Sequence, residues 1–164
     1  CPFCQNGNLV QHPEWEPVIP EEEIFAVLEK RRGVLDGVCV TGGEPTLDPD
    51  LERFVTKIKE LGYLVKLDTN GYRPEILKKL VEEKKIDYVA MDIKNAPSRY
   101  GETAGVKKID VMRINESVEF LKRTMSSGQR SAKSCMEGKR SKRSESGFPG
   151  QNGTSCRITG NRIM

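Results

Sequence analysis

Apolar positions in residues 1–122 repeat in two patterns, one typical of amphipathic helices and one typical of short buried strands. Helical spacing occupies residues 20–33, residues 48–62, a stretch that begins near Pro74, and residues 109–122. Short runs rich in β-branched and aliphatic residues separate these helices at residues 38–40, 63–67 and 86–93. The predicted order is therefore helix, strand, helix, strand, helix, strand, helix.

This alternation predicts an α/β fold with a parallel sheet, because parallel strands need crossover connections and those crossovers are almost always right-handed. Two architectures fit the pattern equally well, an open doubly wound sheet and a (β/α) barrel. The chain has 164 residues, 36% of them hydrophobic, which is enough for a single core.

Polar residues lie at the carboxyl end of each of the three predicted strands. They are Thr-Gly-Gly-Glu-Pro at residues 41–45, Asp-Thr-Asn-Gly at residues 68–71, and Asp-Ile-Lys at residues 92–94. A turn with helix-capping residues explains any one of them taken alone. Because the carboxyl ends of parallel strands lie on one rim, three such segments together predict a shared site.

The glycines and acidic residues of this rim suggest a small charged ligand. Gly42 and Gly43 let the backbone approach a ligand closely, and Glu44 adds a carboxylate suited to an ammonium group or a ribose hydroxyl. Asp68 and Asp92 would bring two carboxylates together, which is costly unless a cation lies near them. Lys94 could be that cation, or it could bind a carboxylate of the ligand while the aspartates hold a metal ion.

Cysteines offer a second kind of chemistry. Cys1 and Cys4 form a C-x-x-C pair, which supplies two thiolates, too few to complete a zinc or an iron–sulfur site. Cys39 lies among valines in the first predicted strand, where we expect a buried structural thiol.

The balance of basic and acidic residues differs between residues 1–122 and residues 123–164, which predicts two parts of the chain. Residues 1–122 carry 18 Lys and Arg against 22 Asp and Glu, whereas residues 123–164 carry 9 against 2. About a fifth of the residues in the second part are apolar, too few to offset the entropy lost on ordering, so we predict a disordered basic tail. A nucleic-acid-binding arm is the alternative, but the tail lacks the interleaved aromatic residues of a stacking surface.

Composition also limits the location of the protein. No apolar run reaches the length of a membrane span, and no signal segment is visible, which favours a soluble protein without a membrane partner. Five cysteines without a regular framework are typical of a reducing compartment. We therefore predict a cytoplasmic protein.

Four motifs in order resemble those of the radical S-adenosylmethionine (SAM) superfamily. They are Cys-Pro-Phe-Cys-Gln-Asn at residues 1–6, Thr-Gly-Gly-Glu-Pro at residues 41–45, Lys-Leu-Asp-Thr-Asn-Gly at residues 66–71, and Ala-Met-Asp-Ile-Lys at residues 90–94. Within that superfamily the sequence is most similar to the activating enzymes of glycyl-radical proteins, especially the type that activates anaerobic ribonucleoside-triphosphate reductase. The resemblance covers residues 1–122.

The resemblance implies an incomplete (β/α) barrel of about three to four βα units. It also implies a [4Fe-4S] cluster held by three cysteines of a C-x-x-x-C-x-x-C loop. Cys1 and Cys4 match the second and third of these, and the first would lie four residues upstream of Cys1. As written, the sequence supplies two of the three ligands, so we expect this chain by itself to be inactive.

The resemblance further implies roles for residues near SAM. Gly42, Gly43 and Glu44 would receive the methionine amino group, and Asp92 and Lys94 would lie near its carboxylate. The remaining predicted cofactor contacts are Phe3 beside the adenine, with Asp68 and Asn70. A monovalent cation would be held by Asp68, Thr69 and Asp92.

The implied reaction is reductive cleavage of SAM to a 5′-deoxyadenosyl radical, which abstracts a hydrogen atom from a glycine of a partner enzyme. Anaerobic ribonucleotide reductase is the expected partner, and a flavodoxin or ferredoxin-like protein is the expected electron donor. One alternative is a radical SAM synthase that acts on a small molecule of the deazapurine type, which shares Gly-Gly-Glu-Pro. A weaker alternative is a zinc module of Cys1, Cys4, Cys135 and Cys156.

The tail departs from the family after Lys122. When residues 134–164 are back-translated with permitted codons and read from the third base, they can give a string with helical periodicity that resembles the family's C-terminal region. We therefore expect a shifted reading frame near residues 123–125, which would leave the tail without an evolved function.

Overall fold

The computed structural model describes Cys4, residues 7–126 and residues 155–159, and within them six helices and four strands. The helices are α1 (Gly7–Gln11), α2 (Glu21–Lys30), α3 (Leu51–Glu60), α4 (Pro74–Glu82), α5 (Tyr100–Ala104) and α6 (Val111–Ser126). The strands are β1 (Gly37–Thr41), β2 (Leu64–Thr69), β3 (Tyr88–Met91) and β4 (Ser155–Thr159). Three short 3-10 helices lie at Pro13–Trp15, Pro45–Leu47 and Pro97–Arg99.

All four strands form one parallel sheet in the order β3-β2-β1-β4. The first three strands are neighbours in the order in which they occur in the chain, as successive βα units are in a barrel. Val38 pairs with Val65 and Leu67 pairs with Val89, so side chains in register share a face. The predicted α/β fold and incomplete barrel are confirmed.

The two faces of the sheet differ sharply in polarity because successive side chains in a strand point to opposite sides. One face packs on the helices, and its strand residues belong to the buried core: Val38, Val40, Val65, Leu67, Val89 and Met91. We call the opposite side the inner face, and it carries Cys39, Thr41, Lys66, Asp68, Tyr88 and Ala90. The core therefore lies between the sheet and its helices, and polar groups of β2 lie on the other side.

Helix boundaries follow from local sequence. α2 begins directly after Pro20 with three carboxylates in its first turn, and α4 begins at Pro74, where the missing amide hydrogen costs nothing. After α3, Gly62 adopts a left-handed φ of 89°, which reverses the chain into β2.

The bounds of all three predicted strands differ from the sequence prediction, and β1 is one residue longer at each end. β2 runs to Thr69 and so includes the first two residues of the second rim motif, while β3 is shorter than the predicted residues 86–93. The extension of β2 is explained by β3, because Asp68 and Thr69 pair with Ala90 and Met91. Asp68 and Thr69 therefore point to opposite faces of the sheet.

Two stretches of the segment predicted to be disordered have regular structure. Helix α6 continues past the predicted boundary at residue 122 to Ser126, and β4 pairs with the free edge of β1 from Gly37 to Thr41. An exposed parallel edge presents a row of unpaired backbone groups, which explains why a further strand is added there. Cys1, Phe3, Cys135 and the rest of the tail lie outside the described residues.

Candidate functional site

The turn after β1 brings the chain back across the rim in a conformation that favours glycine. Gly42 has a φ of 148°, which side-chain-bearing residues rarely adopt. A Cβ atom on Gly43 would lie 3.3 Å from the Cγ2 atom of Val10, so α1 packs directly against this turn. Cys4 lies three residues before α1, within about 10 Å of its first residue by chain length alone.

Glu44 connects this turn to the end of β2. Its Oε1 atom accepts hydrogen bonds from the Thr46 backbone N–H (3.2 Å), the Thr46 hydroxyl (2.6 Å) and the Thr69 hydroxyl (2.6 Å). Its Oε2 atom accepts one from the backbone N–H of Asn70 at 2.7 Å. A carboxylate offers about four lone-pair sites, two on each oxygen. Three donors therefore share the two sites of Oε1, whereas Oε2 has one donor and one further site that can accept a hydrogen of an ammonium group.

The second rim motif is a tight turn fixed from several sides. The Asn70 side chain accepts a hydrogen bond from the backbone N–H of Tyr72 at 2.9 Å. The Thr69 hydroxyl accepts one from the backbone N–H of Gly71 at 3.1 Å. Gly71 has a left-handed φ of 72°. The fully buried Ser117 hydroxyl of α6 donates a 2.7 Å hydrogen bond to the Gly71 carbonyl. This turn is therefore rigidly anchored to the last helix.

Arg113, one turn before Ser117 on α6, adds a further anchor. Its Nε–H donates to the Tyr72 carbonyl at 2.9 Å, its guanidinium lies 5.4 Å from the centre of the Tyr72 ring, and it pairs with both oxygens of Glu75. A cation stacked on an aromatic ring and hydrogen-bonded in this way restricts the ring. Tyr72 is thereby held beside the second rim motif.

The third rim motif carries an ion pair between Asp92 and Lys94. The backbone N–H of Asp92 donates to the Thr69 carbonyl at 2.9 Å, which places this motif next to the second one. The backbone N–H of Lys94 donates to the hydroxyl of Tyr100, a buried residue of α5, at 3.3 Å. Lys94 and Asp92 thus lie at the same rim as Glu44, as the sequence predicts.

Asp68 lies on the inner face, where it contacts two residues of its own sheet. The Lys66 ammonium is 2.8 Å from Oδ1, and the Cys39 thiol donates to Oδ2 at 3.4 Å. Oδ1 is buried, and the approach of Lys66 is an ion pair rather than a well-aligned hydrogen bond. Cys39 is buried, as predicted, but it also has a polar partner.

A cleft of about 230 Å³ lies beside the first rim motif on the helix side of β1. It is lined by Gly42, Gly43 and Glu44 together with the start of α3 and Glu21. Asp68, Asn70, Asp92 and Lys94 do not line it. Since the three rim motifs meet through Glu44 and Thr69 rather than through this cleft, we place the candidate site at the rim.

An electrostatic cluster closes the outer wall of the cleft. Arg53 of α3 holds both oxygens of Glu21 at 2.8 Å, and Lys57 contacts Oε1 at 2.7 Å. These two cations lower the pKa of Glu21 from 4.5 to about 2. The cluster joins α2 to α3 and so supports the wall structurally.

The sequence prediction assigns no role to several residues that contact the rim: Val10, Thr46, Lys66, Tyr100, Arg113 and Ser117. Each contacts a motif residue or, for Arg113, the adjacent Tyr72, and such contacts have no spacing rule in the sequence. One signal was available, because Lys66 interrupts an apolar strand two residues before Asp68 and so shares its face.

Residues 1–134 match the family model of the Radical SAM superfamily. The chain belongs to the radical SAM superfamily. The resemblance stated from the four motifs is thereby confirmed, and the family implies a [4Fe-4S] cluster and SAM as cofactors.

Two curated relatives differ in their described activities. "Putative glycyl-radical enzyme activating enzyme MJ1227" of Methanocaldococcus jannaschii is 38% identical over 104 residues, which cover 62% of this chain and 41% of the relative. The 7-carboxy-7-deazaguanine synthase of Thermococcus kodakarensis is 35% identical over 107 residues, covering 65% of this chain and 40% of the synthase. This radical SAM chain therefore spans about two fifths of the length of these relatives.

Among solved structures, TYW1 with a lysine-pyruvate adduct bound is similar over 75% of this chain and 47% of that chain, with a TM-score of 0.46 and 23% identity. Within the described part of the radical SAM chain, no helix has the length and apolar character needed to cross a membrane.

The residues present fit the implied cofactors in charge and in donor chemistry. Glu44 keeps one acceptor position for an ammonium group, Gly42 places no side chain beside it, and Lys94 supplies a cation for a carboxylate. Cys4 forms no disulfide, so its thiol is available to ligate a cluster, while Cys1 and Phe3 lie outside the described residues.

Proposed function

We propose that this radical SAM protein activates a glycyl-radical enzyme. The observation that carries the proposal is the hydrogen bonding of Glu44 to Thr69 and Asn70, which joins the Gly-Gly-Glu-Pro turn to the Asp-Thr-Asn-Gly turn on one rim. The similarity to the activating-enzyme relative of Methanocaldococcus jannaschii supports the same conclusion.

In this proposal the rim holds the methionine part of SAM. Glu44 accepts from the amino group through Oε2, the backbone of Gly42 and Gly43 lines the approach, and Lys94 binds the carboxylate after exchanging its contact with Asp92. Asn70 and Phe3 complete the proposed cofactor contacts. When bound, the cluster supplies one electron for reductive cleavage of SAM to the 5′-deoxyadenosyl radical.

Cys1 and Cys4 are the proposed cluster ligands in this chain. The packing of α1 on Gly43 supports this role for Cys4, because Cys4 is three residues from a helix that contacts the rim where the amino group would bind. The proposed partner is anaerobic ribonucleotide reductase, and the proposed electron donor is a flavodoxin or ferredoxin-like protein. We place the activity in the cytoplasm on the basis of its reducing conditions.

The test starts with the full-length protein that carries this sequence. It is reconstituted anaerobically with iron and sulfide, reduced, and mixed with SAM. We expect a brown protein that releases methionine and 5′-deoxyadenosine. Cys4→Ala should lose iron, whereas Cys39→Ser, matched as a cysteine change on β1, should keep it. Stoichiometric zinc without colour would contradict the proposal in favour of a zinc module.

Partner identity is tested by adding candidate anaerobic ribonucleotide reductase and recording an electron paramagnetic resonance spectrum. A glycyl-radical signal that depends on both SAM and the activating protein is the expected result. If the protein cleaves SAM but no glycyl-radical signal forms, the activase assignment is contradicted.

A second candidate function is a radical SAM synthase that acts on a small molecule. The similarity to the 7-carboxy-7-deazaguanine synthase of Thermococcus kodakarensis favours it specifically. Conversion of a deazapurine-pathway substrate by the reconstituted protein, without a glycyl radical on any candidate reductase, would establish this function in place of the first.

A further inference from the structure

The Asp68 carboxylate has a cation of its own chain beside it. The Lys66 ammonium lies 2.8 Å from Oδ1, while the Cys39 thiol donates to Oδ2 at 3.4 Å. Lys66 and Asp68 are two residues apart on β2, so their side chains share the inner face and the contact is built into the strand. No loop movement is needed to form it.

Burial makes this ion pair costly to open. Only 4% of the Lys66 side chain is exposed, and 27% of the Asp68 side chain. A buried ammonium must keep a carboxylate or other acceptors nearby, and removing one member of such a pair is strongly destabilising. The pairing therefore persists in the folded state.

The monovalent cation implied by the resemblance requires Asp68, Thr69 and Asp92 to converge, and their geometry does not fit that requirement. Thr69 points to the face opposite Asp68, where its hydroxyl donates to Glu44 and accepts from Gly71. Asp92 pairs with Lys94. Among the described residues no three His, Cys, Asp or Glu side chains form a group able to hold a metal ion.

A potassium or sodium ion at Oδ1 would also have to share one carboxylate with the Lys66 ammonium. Two cations within contact distance of the same oxygen repel each other, and the repulsion is strong where water is largely excluded. We propose that Lys66 is the permanent cation of Asp68, so that no exchangeable monovalent cation binds there.

This inference does not depend on the proposed activity, because it is tested on the chain without cluster or SAM. The melting temperature is measured in potassium chloride, sodium chloride and tetramethylammonium chloride at equal concentration, which keeps screening constant. We expect the values to agree within ~1 °C, whereas a cation at a hundredfold excess over its dissociation constant would raise the melting temperature by on the order of 10 °C. A rise of that size specific to potassium or sodium would overturn the proposal.

Lys66→Ala provides the second arm, since it leaves the Asp68 carboxylate without its ammonium. We expect a lower melting temperature that ammonium or potassium partly restores and tetramethylammonium does not. The double variant Lys66→Ala/Asp68→Asn carries neither charge and should show no cation-specific restoration. Lys79→Ala, which removes an exposed lysine paired with Glu52, is the control for loss of a lysine at the surface.

Each outcome of this arm decides the assignment. Restoration in the single variant but not in the double variant supports it. If the cation raises the melting temperature of both variants, the assignment is overturned. It is also overturned if the single variant is folded and the cation raises the melting temperature of neither. If the single variant does not fold, the salt comparison on the unmodified chain decides alone.

Discussion

A Cβ atom on Gly71 would lie 2.1 Å from the Cε atom of Met91 and 2.8 Å from its Sδ atom. Met91 is the buried last residue of β3, and Gly71 ends the second rim motif. A side chain at residue 71 would therefore require the buried side chain of Met91 to move. The rim turns therefore interlock, with the second packed directly on the strand that leads to the third.

Gly71→Ala should destabilise the chain by about 2–4 kcal/mol. The substitution adds a methyl group against Met91, and it strains a left-handed backbone with a φ of 72°. Urea unfolding followed by circular dichroism measures the loss.

Gly62→Ala is the matched control for that measurement. Gly62 also has a left-handed φ, 89°, but a Cβ atom there would meet nothing within 4 Å. It should cost about 1 kcal/mol, the backbone strain alone. Equal losses in the two variants would show that Met91 does not restrict Gly71.

Ser117→Ala should cost about 1–3 kcal/mol, because it leaves the buried carbonyl of Gly71 without its 2.7 Å hydrogen bond. The effect should be local as well: compared with the unmodified chain, amide hydrogen exchange should be faster in residues 69–72 and unchanged in residues 64–68 of β2. Ser98→Ala, in the exposed 3-10 helix Pro97–Arg99, is the control and should change neither quantity. Unchanged exchange in Ser117→Ala would contradict an anchoring role for α6.

The order of α2, β1, α3, β2, α4, β3 and α6 could be predicted from the sequence because their core positions repeat with helical or strand spacing. Val38 and Val40, for example, lie on the helix side of β1, as a short buried strand requires. The short helices α1 and α5 and the strand β4 are absent from that prediction. The shared rim could also be predicted, since parallel strands end on one side of a sheet. Glu44 and Asn70 duly meet there.

The partners of each rim residue could not be predicted in the same way. Asp68 and Thr69 point to opposite faces because both belong to β2. They belong to β2 because they pair with β3. Thr69 consequently donates a hydrogen bond to Glu44, while Asp68 forms an ion pair with Lys66. These contacts arise from register across strands, which local spacing does not encode.

Glu44→Gln tests the connection between the first two rim motifs. A glutamine has only one acceptor oxygen. Its NH2 group would therefore face another donor, either the Thr69 hydroxyl or the backbone N–H of Asn70, both of which now donate to the carboxylate. We expect a loss of about 1–3 kcal/mol in unfolding free energy and weaker SAM binding by the reconstituted full-length protein.

Nuclear magnetic resonance provides a local measurement for the same variant. The Asn70 amide proton should shift upfield as its charged acceptor is removed. Glu60→Gln, an exposed change in the last turn of α3, is the control and should leave this resonance in place. An Asn70 resonance that does not move in Glu44→Gln would contradict the contact.

Glu21→Gln should lower stability at neutral pH and not in strong acid. Arg53 and Lys57 hold the pKa of Glu21 at about 2 against 4.5 for an ordinary glutamate, so the folded state favours the ionised carboxylate. That stabilisation is fully present above pH 4.5 and disappears as the pH falls towards 2. Since both cations are about half exposed, we expect about 1 kcal/mol at neutral pH rather than the full value of the shift.

Unfolding free energies of the chain and the variant are compared from neutral pH to about pH 2. The difference between them should stay constant down to pH 4.5 and then close, because protonation of Glu21 removes the charge that glutamine lacks. Glu22→Gln is the matched control, an adjacent exposed glutamate that makes no ion pair among the described residues. It should follow the unmodified chain at every pH. A difference between the chain and Glu21→Gln that persists unchanged at the acid end would mean that the carboxylate charge does not join α2 to α3, and that glutamine weakens the junction by its shape instead.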